Sequence, residues 1–137
     1  GDLGYYSGED MPEKSSMMAY SDIFLTVYST MVVEASIHDT PIISVCLDVP
    51  GGWKDSNRFY LPLSTIGNWP THKRFIESGA GRVALNLKEL KEHINTYLKE
   101  PEIDLEKQRN FIKDECTYID ASAGRRIAGF LLSLIRQ

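Results

Sequence analysis

Two short apolar runs, Ile23-Phe24-Leu25 with Val27 and then Ile42 to Leu47, flank a segment whose apolar residues crowd almost every side of a helix. Runs of that length, rich in branched side chains, predict strands buried on both faces of a parallel sheet. Between them, Ser29 or Thr30 is placed to cap a helix reaching about His38. Asp39-Thr40-Pro41 ends it, because proline cannot continue a helix and disfavours helix in the residue before it. The stretch Ser21 to Asp48 therefore reads as one strand–helix–strand unit, right-handed by the general rule for parallel crossovers.

The flanking sequence extends the pattern. Residues 1–10 form a loop with room for a short strand at Leu3–Tyr6, and Pro12 opens a helix to Tyr20 with Met17 and Met18 turned inward. Residues 48–70 are irregular and rich in aromatics, with a turn at Pro50-Gly51-Gly52. This long loop leaves the carboxyl end of a parallel strand, the edge where ligands bind in open α/β sheets. Thr71–Ser78 is a short helix closed by Gly79 and Gly81, and Arg82–Leu85 is a third strand. Asn86 and Glu89 approximate a capping box for a helix whose packed face is Leu87, Leu90, Ile94 and Leu98, ended at Lys99-Glu100-Pro101. His93 falls among charged residues and reads as solvated. Asp104 caps the next helix, with Leu105, Phe111, Ile112 and Cys116 inward, and Ile127, Phe130, Leu131 and Leu134 form one stripe of a last helix. The fold class this predicts is α/β, a Rossmann-like parallel sheet flanked by helices, in one domain over 1–137.

Composition narrows the function classes. With 137 residues, 42% hydrophobic and 25% charged, the chain has enough apolar sequence for one soluble core. A net charge of −4 with scattered basic residues leaves no footprint for nucleic acid or an anionic membrane. The two cysteines make no disulfide framework and fit a reducing cytoplasm, Cys46 as a small core residue. The apolar runs are too short to span a bilayer. No metal cluster stands out, no spacing selects a Ser–His–Asp set, and no cofactor is implied.

One residue breaks the apolar helix. Glu34 follows Thr30 by one turn, so the two share a face, and it lies about 7.5 Å along the axis from Ser29. Phosphate binds at helix N-termini at the carboxyl edge of such sheets. A carboxylate just over a turn further in has the reach to accept hydrogen bonds from a ribose diol. The same residue also fits a solvated glutamate that complements the helix dipole.

The string TVYSTMVVEASIHDTPIISV resembles the signature of the C-terminal, nucleotide-sugar donor-binding half of GT-B glycosyltransferases: a Ser/Thr pair, an acidic residue about five positions on followed by a small one, then a proline-led strand. The UDP-N-acetylglucosamine 2-epimerase and CDP-glycerol glycerophosphotransferase-like group is similar. MMAYSD resembles the helix that precedes the aspartate-led strand, and HKRFIESG with the following strand and NLKEL resembles a bacterial branch of polysaccharide-synthesis proteins. The resemblance runs from about Met17 to Ile135. It implies diphosphate contacts at Ser29 and Thr30, a ribose contact at Glu34, and a donor-phosphate or sugar contact at His72. Asp48 is a further candidate for a sugar hydroxyl, or equally for a cap or turn bond. The ending around Asp120, with Arg126 following, matches the family except that Ala121 stands where glycine is usual, which argues against a special backbone turn there. Asp120 and Arg126 read as structural, a helix cap and a surface or domain-joint charge.

The resemblance thus implies a transferase domain that binds a nucleotide-diphosphate sugar without a metal, in bacterial surface polysaccharide or glycan synthesis. The catalytic base and acceptor site are expected in a missing N-terminal acceptor domain or partner subunit. The opening Gly1-Asp2-Leu3, with no methionine, fits a fragment of a longer two-domain protein, inactive alone. A UDP-sugar 2-epimerase-like domain is an alternative, but its Ser-Gly-Gly and Glu-Glu features are replaced here by Tyr28-Ser29-Thr30 and Val33-Glu34. A non-catalytic α/β partner subunit, touching its partner through the aromatic loop and last helix, is the other.

Overall fold

The structure, a computed structural model, describes residues 9–27, 29–47 and 67–135. Asp48, the Pro50-Gly51-Gly52 turn and the expected strand at Leu3–Tyr6 lie outside the described residues. The elements run α1 (Asp10–Ala19), β1 (Phe24–Thr26), α2 (Met31–Ile37), β2 (Ile42–Val45), α3 (Pro70–Ser78), β3 (Arg82–Ala84), α4 (Leu87–Lys99), α5 (Leu105–Glu115) and α6 (Ala123–Ile135). Among the described residues the strands form a parallel sheet in the order β1-β2-β3, with Phe24 opposite Ile42 and Ile43 opposite Arg82. The chain is thus α/β, a parallel sheet flanked by helices and consistent with a Rossmann-like fold.

Alternation along β2 divides the core. Ile42 faces Met18, Val32, Ala35, Phe75 and Phe111, so α1, α2, α3 and α5 share one side of the sheet. Ile43 faces Ala84 and Tyr97, with Leu90 and Ile94 beside them, so α4 covers the other side. Burial on both faces is why the central strand reads as a nearly continuous apolar run, interrupted by the buried Ser44. Gly81 lies where Phe75 crosses the sheet: a Cβ there would run into Phe75 Cζ and stand 2.8 Å from the Ile42 carbonyl oxygen.

The ends of α2 follow from local chemistry. Ser29 Oγ accepts from Met31 N at 3.2 Å, and the Ser29 carbonyl accepts from Val32 N. At the other end Asp39 takes the left-handed conformation, φ 57°, while Thr40 N donates to Ala35 O and Asp39 N to Ser36 O. That is a Schellman motif with aspartate in the usual glycine place, and Pro41 follows it. The buried Gln108 side chain donates to Thr40 O, and Thr40 Oγ1 to Met18 O, tying the α2–β2 turn to α5 and α1.

Several expectations are corrected. Met18 is buried in the core but Met17 is 67% exposed, on the outer side of α1. The packed face of α4 is Leu90, Ile94 and Tyr97, while Leu87 and Leu98 point to solvent. His93 is half-buried, its Nε2 3.1 Å from the Val83 carbonyl. Asp104 precedes α5 but makes no side-chain cap; its carboxylate accepts from Arg82 Nε (3.0 Å), Tyr97 OH (2.9 Å) and Lys107 Nζ (3.0 Å). Ala121 does adopt the turn that its identity argued against, with φ 54°. Asp120 holds it by accepting from Ser122 N and from both Arg126 nitrogens. The last helix forms where expected, yet no residue of α6 is buried, and its stripe of Ile127, Phe130, Leu131 and Leu134 is exposed.

Candidate functional site

In a parallel sheet all carboxyl ends lie on one edge, so β1 delivers Ser29 and Thr30 to that edge directly. Ser29 is half-buried with its hydroxyl engaged by Met31 N; Thr30 is exposed and uses no side-chain cap bond. Glu34 follows on α2. His72 lies in the first turn of α3, whose C-terminus feeds the amino end of β3, so α3 also starts toward the carboxyl edge. Ser29 and Thr30 therefore lead into α2 and Glu34 lies within it, while His72 comes from a neighbouring helix whose Phe75 packs in the same core as Val32 and Ala35.

Glu34 does not stand alone in solvent. Lys14 Nζ lies 2.6 Å from its Oε2, joining α1 to α2 with both side chains about one-third to two-fifths exposed. Nearer the C-terminal end of α2, Ser15 Oγ and His38 Nε2 meet at 2.9 Å. Two cavities adjoin Lys14. On one side is a cavity of about 520 Å³ lined by Asp10, Met11, Glu13, Lys14, Met17 and Met31. On the other is one of about 210 Å³ whose walls include Lys14, Ser15, Glu34 and His38. The larger has the volume of ordinary small-molecule sites, roughly 300–1,000 Å³. Its floor of three methionines offers soft, adaptable apolar contact.

His72 has a different environment. It is 5% exposed, with its ring centroid 5.9 Å from that of Phe75. Desolvation lowers its pKa from 6.5 to about 4, so the imidazole is neutral near pH 7. It can offer a hydrogen bond there but not a positive charge. Deeper in the sheet, Ser44 Oγ is fully buried without a hydrogen-bond partner among the described residues.

The opposite, amino edge of the sheet carries the Asp104 cluster, since Arg82 opens β3. Burial raises the Asp104 pKa, but the hydrogen bonds from Lys107 and Tyr97 and the Arg82 guanidinium outweigh it and hold the carboxyl below its usual range. Burial, then the charge of Asp104, pushes the Tyr97 phenol up. Arg82 also lies over the Tyr97 ring, 5.2 Å from its centroid. With the Asp104 carboxylate committed to three donors, this cluster is a joint between β3, α4 and α5. Among the described residues, no group of three or more His, Cys, Asp or Glu side chains is placed to hold a metal ion. No helix among them is long and apolar enough to cross a membrane.

The site residue that the sequence did not disclose is Lys14. Its partner is 20 positions away on another helix, and no periodicity within α1 marks it. Only the crossing of α1 over α2 brings the pair together. Compared with known proteins, the chain matches no family model, no curated protein and no solved structure.

Proposed function

We propose that this chain is the nucleotide-sugar donor-binding domain of a glycosyltransferase of the GT-B type, serving bacterial surface polysaccharide or glycan synthesis. The observation that carries the reading is the placement of Glu34: paired with Lys14, it lines the smaller cavity, and Lys14 and Met11 also line the larger one, which reaches Met31 at the start of α2. The nucleoside occupies that space, Glu34 accepts from the ribose diol, and the diphosphate lies toward Ser29 and Thr30. His72, neutral and near the same edge, serves as a hydrogen-bonding contact to phosphate or sugar. Asp48 is a further sugar contact in this reading. Catalysis rests on holding the donor and stabilising the leaving diphosphate. The acceptor site and the base come from another domain or subunit, so the chain alone binds donor and does not turn it over. Cys46 and Cys116 form no disulfide, which suits a reducing, cytoplasmic setting.

Isothermal titration with UDP, GDP and CDP tests this. At least one of them binds the wild type, and Glu34→Ala weakens that binding about tenfold, as expected for a lost hydrogen bond to a charged acceptor. Equal affinity of the two proteins removes Glu34 from the ribose role.

A second reading, a non-catalytic α/β partner subunit, is favoured by α6. Its large apolar residues from Ile127 to Ile135 stand 52–80% exposed, an area of the kind that protein contacts cover. The absence of binding to any of the three nucleotides favours this second reading over the first.

A further inference from the structure

Lys14 lines both cavities and Glu34 the smaller one, with the Lys14 ammonium 2.6 Å from Glu34 Oε2. A carboxylate offers two oxygens and about four lone-pair positions. An ammonium on Oε2 occupies part of that capacity and leaves Oε1 able to accept. It also fixes a side chain that otherwise samples many rotamers, so less freedom is lost when a ligand binds. The partial burial of both groups makes their attraction stronger than in bulk water. We propose that Lys14 is a positioning residue: it holds the Glu34 carboxylate in the orientation from which Oε1 accepts from the hydroxyls of a ribose, and so sets the preference for ribo- over 2′-deoxyribonucleotides. This rests on the reading of Glu34 as the ribose contact.

The alternative role for the same ammonium is direct contact with the diphosphate, since lysine binds phosphate as a point charge. The two roles separate in one comparison. A lysine that touches phosphate strengthens ribo and deoxyribo ligands alike, so its loss leaves their ratio unchanged. A lysine that orients Glu34 changes the ratio.

The experiment is isothermal titration of the full 137-residue chain with GDP, UDP and CDP, each against its 2′-deoxy counterpart. Wild type, Lys14→Met, Lys14→Arg and Glu34→Gln are compared, with thermal midpoints as the check on folding. Wild type is expected to prefer the ribonucleotide about tenfold, the discrimination of one hydrogen bond to a charged group. Lys14→Met reduces the preference to about twofold or less, and Lys14→Arg restores most of it because the charge stays in place. If Glu34→Gln abolishes the preference while Lys14→Met keeps it, the role of Lys14 is overturned and the ribose contact stands. If wild type shows no ribose preference, the ribose contact itself fails and the inference falls with it.

Discussion

Replacing Asp104 by alanine removes the acceptor shared by Tyr97, Arg82 and Lys107, and the cost follows from how each donor is left. Tyr97 is 1% exposed, so its hydroxyl loses its hydrogen bond with no access to water, which costs about 2 kcal/mol within the usual 1–3. The Arg82 and Lys107 side chains are 27% and 57% exposed, so they rehydrate in part and together add about 1 kcal/mol. The expected loss is about 3 kcal/mol, at the lower end for breaking a buried charged pair. For a chain of this length that lowers the melting midpoint by about 10 °C. Asp104→Asn keeps one oxygen for the Tyr97 hydroxyl and loses about half as much. Tyr97→Phe costs about 1 kcal/mol, and combined with Asp104→Ala it adds less than it does alone, because the unpaired hydroxyl is gone. Urea unfolding followed by circular dichroism measures all four proteins. Additive effects of Tyr97→Phe and Asp104→Ala, or a loss below about 1 kcal/mol for Asp104→Ala, refute the assignment of this cluster as a stabilising joint.

Other consequences are as concrete. The His72 pKa is lower in the folded chain, about 4, than its unfolded value of 6.5, so the unfolded state binds more protons between them. The contribution of His72 is complete above pH 6.5 and is lost as pH falls toward 4; in a urea-midpoint series against pH, His72→Gln flattens that slope. Gly81→Ala places a Cβ against Phe75 and 2.8 Å from the Ile42 carbonyl, which sits in the central strand and cannot swing aside. It should cost about 3 kcal/mol by thermal unfolding, the upper end for overpacking. Phe130→Ser with Leu134→Ser changes exposed residues of α6 and leaves the thermal midpoint within about 2 °C.

The central strand β2 was legible because it is buried on both faces, whereas β1, expected to be buried likewise, lies at an edge of the described sheet with Leu25 and Val27 about half exposed. Ile42 and Ile43 face opposite layers of core, and that burial wrote the run that predicts β2. The turn out of α2 was legible at Pro41, although the Schellman geometry with a left-handed Asp39 was not. What the sequence hid depends on partners distant along the chain. Tyr97 and Asp104 meet Arg82 only when α4 and α5 close over β3, and Lys14 meets Glu34 only when α1 crosses α2. The stripe of α6 showed a helix correctly but not its burial, since periodicity records an apolar face and is silent about what covers it. Ala121 misled for a related reason: a positive φ disfavours a side chain, yet the Asp120 bonds to Ser122 and Arg126 brace the turn around it.

The most direct test of the donor-site account is a nuclear magnetic resonance titration of the chain with UDP, GDP or CDP, following backbone amides and methionine methyl groups. The account predicts that the largest shifts cluster at Ser29, Thr30 and Glu34 and at the methyls of Met11, Met17 and Met31, with the amides around Asp104 unmoved. Shifts confined to the amino edge near Arg82 and Tyr97, or no shifts with any of the three nucleotides, would contradict it.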